Sequence, residues 1–335
     1  MRPLLGLVLT LAAAVHAGCL AGSRGSAISA SLTDQQFWEL TSGFSEPAGV
    51  FTHSENLVSN EIHFVHTLRM LRPAGGVYVG VGPEQNFSYI ARLRPALAFI
   101  VDIRRENQNL HLMYKALFEL STDRADFLSR LFSRSRPGGV GAHTAVSELF
   151  AAYHAVKPSE QLHETTARLI RERLLEAHGY PLAAEDLDWI DYALRAFYTD
   201  GPDIHYARAR PKDPRGPSYR FLMTANDVQG DSRSYLATED GFAFVKQLQA
   251  TNRIVPIVGD FAGSDALRRV ADYVRQRESA VSAFYGSNVE VYLTRTRMTA
   301  YCANLARFPY GSPAWFIDSK GLQPFRSKLK SCPAP

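Results

Sequence analysis

Two rhythms of apolar and polar residues alternate along the chain. Over residues 56–71 the apolar positions Leu57, Ile62, Phe64, Val65, Leu68, Met70 and Leu71 fall at helical spacing, and Pro73 with Gly75-Gly76 ends the run. The same rhythm predicts helices over 32–44, 87–93, 107–120, 238–251, 264–276 and 297–305, with a short one over 289–293. Between them lie runs that are apolar almost without a break: 77–82, 97–103, 254–258 and 281–285, with 314–317 as a last candidate. Short continuous apolar runs mark strands buried on both faces. Strand, helix, strand and helix in succession over 77–120 imply parallel pairing joined by right-handed crossovers.

The alternation stops between 121 and 234. Helices are predicted there over 123–132, 144–156, 160–178 and 183–198, and the basic, proline-rich text of 205–217 reads as loop. The expected fold is therefore α/β: a Rossmann-like, mostly parallel sheet with helices on both faces and a helical insertion. N-terminal helices occupy 31–75, the first half of the sheet domain 76–120, the insertion 121–237, the second half 238–320 and a tail 321–335. The insertion is either a lid over the site or mere bulk.

Composition narrows the function classes. The 335 residues are 46% hydrophobic and 21% charged, which excludes a disordered or collagen-like chain. A net charge of +4 without a long basic run gives no reason to expect a nucleic-acid partner. Residues 1–30 stand apart. Met1-Arg2 is followed by an uncharged apolar run over 4–15, shorter than the ~20 residues of a membrane span and the right length for a secretory signal peptide. Two exits are open: cleavage before Gly18, or a lipid anchor at Cys19 in the text Ala17-Gly18-Cys19. Both predict an exported protein, periplasmic or anchored to the cell envelope; a misassigned start codon would make it cytoplasmic. Cys302 and Cys332 remain, as a disulfide closing the tail onto the last helix or as two free thiols. No zinc spacing occurs.

Ligands of open α/β sheets bind at the carboxyl ends of strands. The first predicted strand ends in Gly80 and Gly82, followed by Glu84 and Asn86; the second ends in Asp102 and Arg104. Asp260 ends the third, and Ser287, Asn288 and Glu290 follow the fourth. Glycines let a ligand approach the backbone, and a helix opening near Glu84 would turn free N–H groups towards it. Asp102 lies about 20 residues past Gly82, the spacing of an acid that accepts hydrogen bonds from a ribose diol. Gln85 holds the place of the third glycine of a dinucleotide fingerprint.

Each residue also has a plainer reading. The glycines would make a tight turn, and Asp102 would cap a helix or pair with Arg104 or Arg105. Asp260 would be a solvated turn acid, and Ser287-Asn288 a helix cap completed by Glu290. Glu61, His63 and His66 invite a metal reading, since the two histidines at i and i+3 share a helix face, but no third ligand is evident there and no metal is expected. His111 and Tyr114 either line the cleft or are half-buried structural groups. Arg124, Arg130, Arg134 and Arg136 read as a solvated face.

The order strand, GVG, helix, strand, Asp resembles the N-terminal half of class I S-adenosylmethionine-dependent methyltransferases. The texts GVGPEQNFSYI, AFIVDIRRENQNLHLMYKALFELS, RADFLSRLF, IVPIVGDFAG and FYGSNVEVYL are similar to an uncharacterised, methyltransferase-like bacterial family. The resemblance implies S-adenosylmethionine as cofactor, with Gly80 and Gly82 as its glycine loop, Asp102 at the ribose and Asp260 near the adenine. Ser287-Asn288 stands where methyltransferases acting on nitrogen or oxygen often carry an Asp/Asn-Pro-Pro motif. The chain departs from the pattern at Tyr78, in place of an acid, and at Val289, in place of the first proline. The expected function is a methyltransferase-like protein that binds this donor or a related nucleoside. Export would separate the protein from a donor made in the cytosol, so the competing expectation is a non-enzymatic envelope protein binding a partner or another small ligand.

Overall fold

The computed structural model describes residues 28–51, 55–206, 208 and 216–333. The expected leader and Cys19 lie outside the described residues, apart from positions 28–30. No helix among the described residues is long and apolar enough to cross a membrane.

Helix α1 (Asp34–Phe44) opens with a capping box. The Thr33 hydroxyl accepts from the Gln36 N–H at 3.1 Å, and the Gln36 side chain accepts from the Thr33 N–H at 2.9 Å. The run over 56–71 is helical only in α2 (Phe64–Met70). Before it, Asn56 adopts a left-handed φ of 54°, and the Ser59 N–H is drawn to the Glu84 carboxyl at 3.2 Å, so residues 55–63 form a loop. Leu57 and Val58 are buried there by that loop packing, which gave the sequence its false helical rhythm.

The sheet contains β1 (Val77–Gly80), β2 (Leu97–Asp102), β3 (Ile254–Val258), β4 (Val281–Ser287), β5 (Tyr310–Asp318) and β6 (Gly321–Pro324). Its order is β3-β2-β1-β4-β5-β6, with every pair parallel except the antiparallel β5–β6 edge. This is an α/β architecture compatible with a Rossmann-like fold. The first three strands are buried along their whole length, as their unbroken apolar text requires. The chain steps outward from β1 to β3 and then returns past β1 to lay down β4. The strand order therefore reverses between β1 and β4, and a crevice opens there at the carboxyl ends.

Helices α3 (Gln85–Leu93) and α4 (Arg105–Leu120) follow β1 and β2. Between α4 and β3 the described residues add helices and loops but no sheet strand: α5 (Arg124–Phe132), α6 (Val146–Ala155), α7 (Glu160–Glu172), α8 (Ala184–Asp200), α9 (Tyr219–Thr224) and α10 (Glu239–Ala250). A π-helical turn (Arg173–Ala177) extends α7. The insertion packs against α4 through α5, α7 and α8 and so thickens one layer. That explains why α4 is buried from Asn107 to Phe118, polar residues included. Lys115, for instance, is held there by Glu119 at 2.7 Å and the Gln249 carbonyl at 2.6 Å. Helix α11 (Ala266–Gln276) covers β2 and touches α1 and α12 (Arg295–Ala306).

One further expectation is corrected. Arg124 and Arg134 are not a solvated face: Arg124 donates to the carbonyls of Leu236, Ala237, Ala142 and Thr144, and Arg134 to those of Tyr153, His154 and Val156. Both are buried clamps on loop carbonyls that would otherwise lack donors. The tail supplies β6 and α13 (Phe325–Lys330). Its Cys332 is disulfide-bonded to Cys302 on α12.

Candidate functional site

A cavity of about 340 Å³ sits in the crevice and receives residues from the carboxyl ends of β1, β2, β3 and β4. Gly82 and Pro83 follow β1, Asp102 and Arg104 end β2, Gly259 and Asp260 follow β3, and Ser287 and Asn288 end β4. Phe51, Asn56, Ser59 and Asn60 close one side, Tyr292 and Leu293 another, and Tyr206 alone comes from the described part of the insertion. The volume lies in the usual range of small-molecule sites, about 300–1,000 Å³. Phe51 and Tyr292 meet edge to face at 5.2 Å and make an aromatic wall.

The sequence-predicted residues divide here. Gly82, Asp102, Arg104, Asp260, Ser287 and Asn288 come together around the one cavity. Gly80, Glu84, Asn86 and Glu290 do not line it. Gly80 is a glycine for another reason: a Cβ there would lie 2.0 Å from Asn86 Oδ1. The Asn86 amide donates to the carbonyls of Val81, Gly82 and Pro83 at 2.8–3.1 Å, while its oxygen accepts from the Tyr78 hydroxyl at 2.9 Å. Asn86 thus braces the turn from within, and Tyr78, standing where an acid was expected, serves that brace. Gly82 adopts a φ of +79°, which glycine allows without strain. Glu84 turns inward, fully buried, and Glu290 pairs with Lys328 on α13.

The charged groups are mostly neutralised on the spot. Arg104 Nε lies 3.1 Å from Asp102 Oδ1, the Arg104 N–H donates to the same oxygen at 3.0 Å, and Nη1 reaches the Glu55 carbonyl at 2.8 Å. Asp260 pairs with Arg297. The loop after β3 is shaped by Glu46, whose carboxylate accepts from the N–H groups of Asp260, Asp265 and Ala266 at 3.0, 2.7 and 2.8 Å. A side chain of the protein itself thus occupies the start of α11.

Glu84 and Glu61 have no such cation among the described residues. Burial pushes the Glu84 carboxyl up to about 8, against the pull of the Ser59 N–H and its own backbone N–H. Burial also raises Glu61; the Ser287 hydroxyl holds it back, Asp318 raises it further and His63 lowers it. The Ser287 hydroxyl donates to Glu61, and Ser287 sits at a left-handed φ of 47°. His111 is fully buried and its pKa is lowered by burial to about 4, so the imidazole is neutral and donates from Nε2 to the Gly82 carbonyl at 2.9 Å. It supports the turn and, like Tyr114, does not line the cavity. Among the described residues no group of three metal-ligating side chains occurs.

Sequence reasoning missed Phe51, Asn56, Ser59, Asn60, Tyr292 and Arg297 as site residues, and considered Glu61 only for metal. Reading 56–71 as one helix hid the first strip. The polar Asn56-x-x-Ser59-Asn60 inside an apolar rhythm was the available signal.

Residues 56–176 and 206–328, well over half of the chain, match the family model described as Domain of unknown function (DUF7790), and the chain belongs to that family. The matched stretches hold every sheet strand and all the cavity residues except Val50 and Phe51. No curated protein matches the chain.

Proposed function

We propose that this member of the family binds S-adenosylmethionine, or a related nucleoside, in the crevice and acts as a methyltransferase-like protein. The observation behind the reading is that Gly82, Asp102, Asp260, Ser287 and Asn288 surround a single cavity at the strand-order reversal. Backbone at Gly82 gives a ligand close approach, and the Asp102 carboxylate keeps acceptor capacity for a diol beside its Arg104 partner. Aromatic side chains at Phe51, Phe261, Tyr285 and Tyr292 suit a flat ring. Titration calorimetry of the purified chain with S-adenosylmethionine and S-adenosylhomocysteine tests it. Saturable heat is expected, with affinity about tenfold weaker in Asp102→Asn, the loss of roughly one charged hydrogen bond. A folded chain that takes up neither compound at millimolar concentration removes the reading.

The Cys302–Cys332 disulfide favours a second reading, because such bonds persist in oxidising compartments. In it the protein is exported and the crevice holds another small ligand, or the protein serves an envelope partner without catalysis. Fusing residues 1–30 to an export-dependent reporter separates the two: an active reporter supports export, and a silent one returns the protein to the cytosol, where the donor is made.

A further inference from the structure

One carboxylate beside the cavity has no ion-pair partner among the described residues and accepts from the hydroxyl of Ser287, a residue of the cavity wall. Glu61 is 9% exposed and lies within ion-pair distance of no arginine or lysine among the described residues. By contrast Asp102, Asp260 and Glu290 are each matched to a cation. The Ser287 hydroxyl donates to Glu61 Oε1 and forms part of the cavity wall. It stands at the end of β4, at a positive φ that a non-glycine residue rarely adopts and that surrounding structure must impose.

We propose that Ser287 and Glu61 form the proton-accepting element of the crevice, and that they receive the hydroxyl of a phenol-class ligand. The inference deepens the preceding reading, on which it rests for calling that ligand the methyl acceptor. A hydroxyl donates and accepts at once, so Ser287 Oγ takes the ligand's proton as it passes its own to Glu61. The ligand's O–H bond breaks and leaves the electron pair on the ligand oxygen. Glu61 ends as a carboxylic acid, and Ser287 is unchanged. The ring class follows from the walls beside Ser287: Tyr285, Val289, Tyr292 and Leu293 line the cavity, and Phe51 abuts Tyr292. These offer flat apolar surface with Ser287 at one edge.

The groups that face Glu61 set its behaviour. Burial and Asp318 on β5 both favour the protonated form, while Ser287 and His63 favour the carboxylate. Tyr89 on α3 and Tyr285 on β4 are also near, and both phenols are held well above their ordinary range by burial. Neither tyrosine therefore competes as a base.

The test uses 4-nitrophenol, whose ionised form alone is yellow, titrated into the full chain at about pH 6, below the probe's own midpoint. In the wild type the bound probe is expected to show at least about threefold more ionised form than in Glu61→Gln, because the pair shares its proton with the ligand. Ser287→Ala is expected to lose the same excess. Circular dichroism and a urea melt establish that both variants fold, and Glu61→Asp is expected to recover part of the signal. Equal ionisation in wild type and Glu61→Gln, or no uptake of the probe by the folded wild type, overturns the proposal. Calorimetry with S-adenosylmethionine on the same samples is read separately. Donor binding without probe ionisation removes this inference alone, and probe ionisation without donor binding removes only the methyl-donor reading.

Discussion

The carboxylates Asp102, Asp260, Glu61 and Glu84, in or behind the walls of the crevice, are held in two ways. Asp102 and Asp260 each meet an arginine. Glu61 and Glu84 meet hydroxyls and backbone N–H groups, and burial raises both. The difference separates wall from chemistry. A paired acid is neutralised by its partner and fixes the shape of a loop. An acid without a cation has its proton affinity raised by burial, and for Glu84 that places the carboxyl near 8.

The largest effect is expected where the pairing is most buried. Asp102 and Arg104 side chains are only 7% and 6% exposed. Arg104→Ala leaves a buried carboxylate without its cation and the Glu55 carbonyl without its donor. Urea unfolding is expected to lose about 3–5 kcal/mol. A loss below about 1 kcal/mol would mean that water already solvates Asp102, and the contrast between the two kinds of acid would weaken.

Glu84 should behave oppositely. At neutral pH its carboxyl is protonated, so Glu84→Gln keeps both shape and the acceptor for the Ser59 N–H, and should cost within about 1 kcal/mol. Glu84→Ala leaves a hole and an unsatisfied N–H under the 55–63 loop, and should cost about 2–4 kcal/mol. Its linkage sharpens the point. The folded carboxyl titrates near 8 and an ordinary one at 4.5, so its contribution is complete below 4.5 and disappears as pH rises through 8. His111 runs the other way: its folded value near 4 lies below the ordinary 6.5, so its contribution is present above 6.5 and lost as pH falls through 4. The two slopes oppose each other between 4.5 and 6.5. Of the two, only Glu84 acts from 6.5 to 8, with a fall of up to about 1.4 kcal/mol per pH unit that Glu84→Gln should flatten.

Much of this frame was legible in the text. Unbroken apolar runs located the strands, because a strand covered on both faces tolerates little else: 254–258 was read at its true limits. The glycines and the acids at strand ends located the crevice, since parallel topology brings those ends together. What escaped was whatever depends on contacts distant in sequence. Asn56 and Ser59 belong to a loop because Glu84 and Gln85, some 25 residues away, bind Ser59. Arg124 reads as a surface charge until the loops at 142–144 and 236–237 close over it. Gly80 looked like a ligand glycine, but the neighbour it accommodates is Asn86. Local rhythm carries no information about which backbone carbonyls a fold leaves without donors.

The smallest effect belongs to the second paired aspartate. Arg297 is 45% exposed and Asp260 25%, so their attraction is screened by water, and Arg297→Ala should change stability by about 1 kcal/mol or less. Asp260 keeps its shape without the arginine, because its own Oδ1 accepts from the Ala262 N–H at 2.9 Å and Glu46 holds its N–H at 3.0 Å. What changes is the face it turns to the cavity. Freed of Arg297, the carboxylate can accept from a ligand's exocyclic amine, so S-adenosylmethionine should bind up to about tenfold more tightly in Arg297→Ala, a gain of about 1.4 kcal/mol. Calorimetry beside a urea melt reads both quantities. Affinity that moves while stability stays still would assign Asp260 to the ligand. Stability that drops by several kcal/mol would instead make Arg297 a structural clamp of the same kind as Arg104.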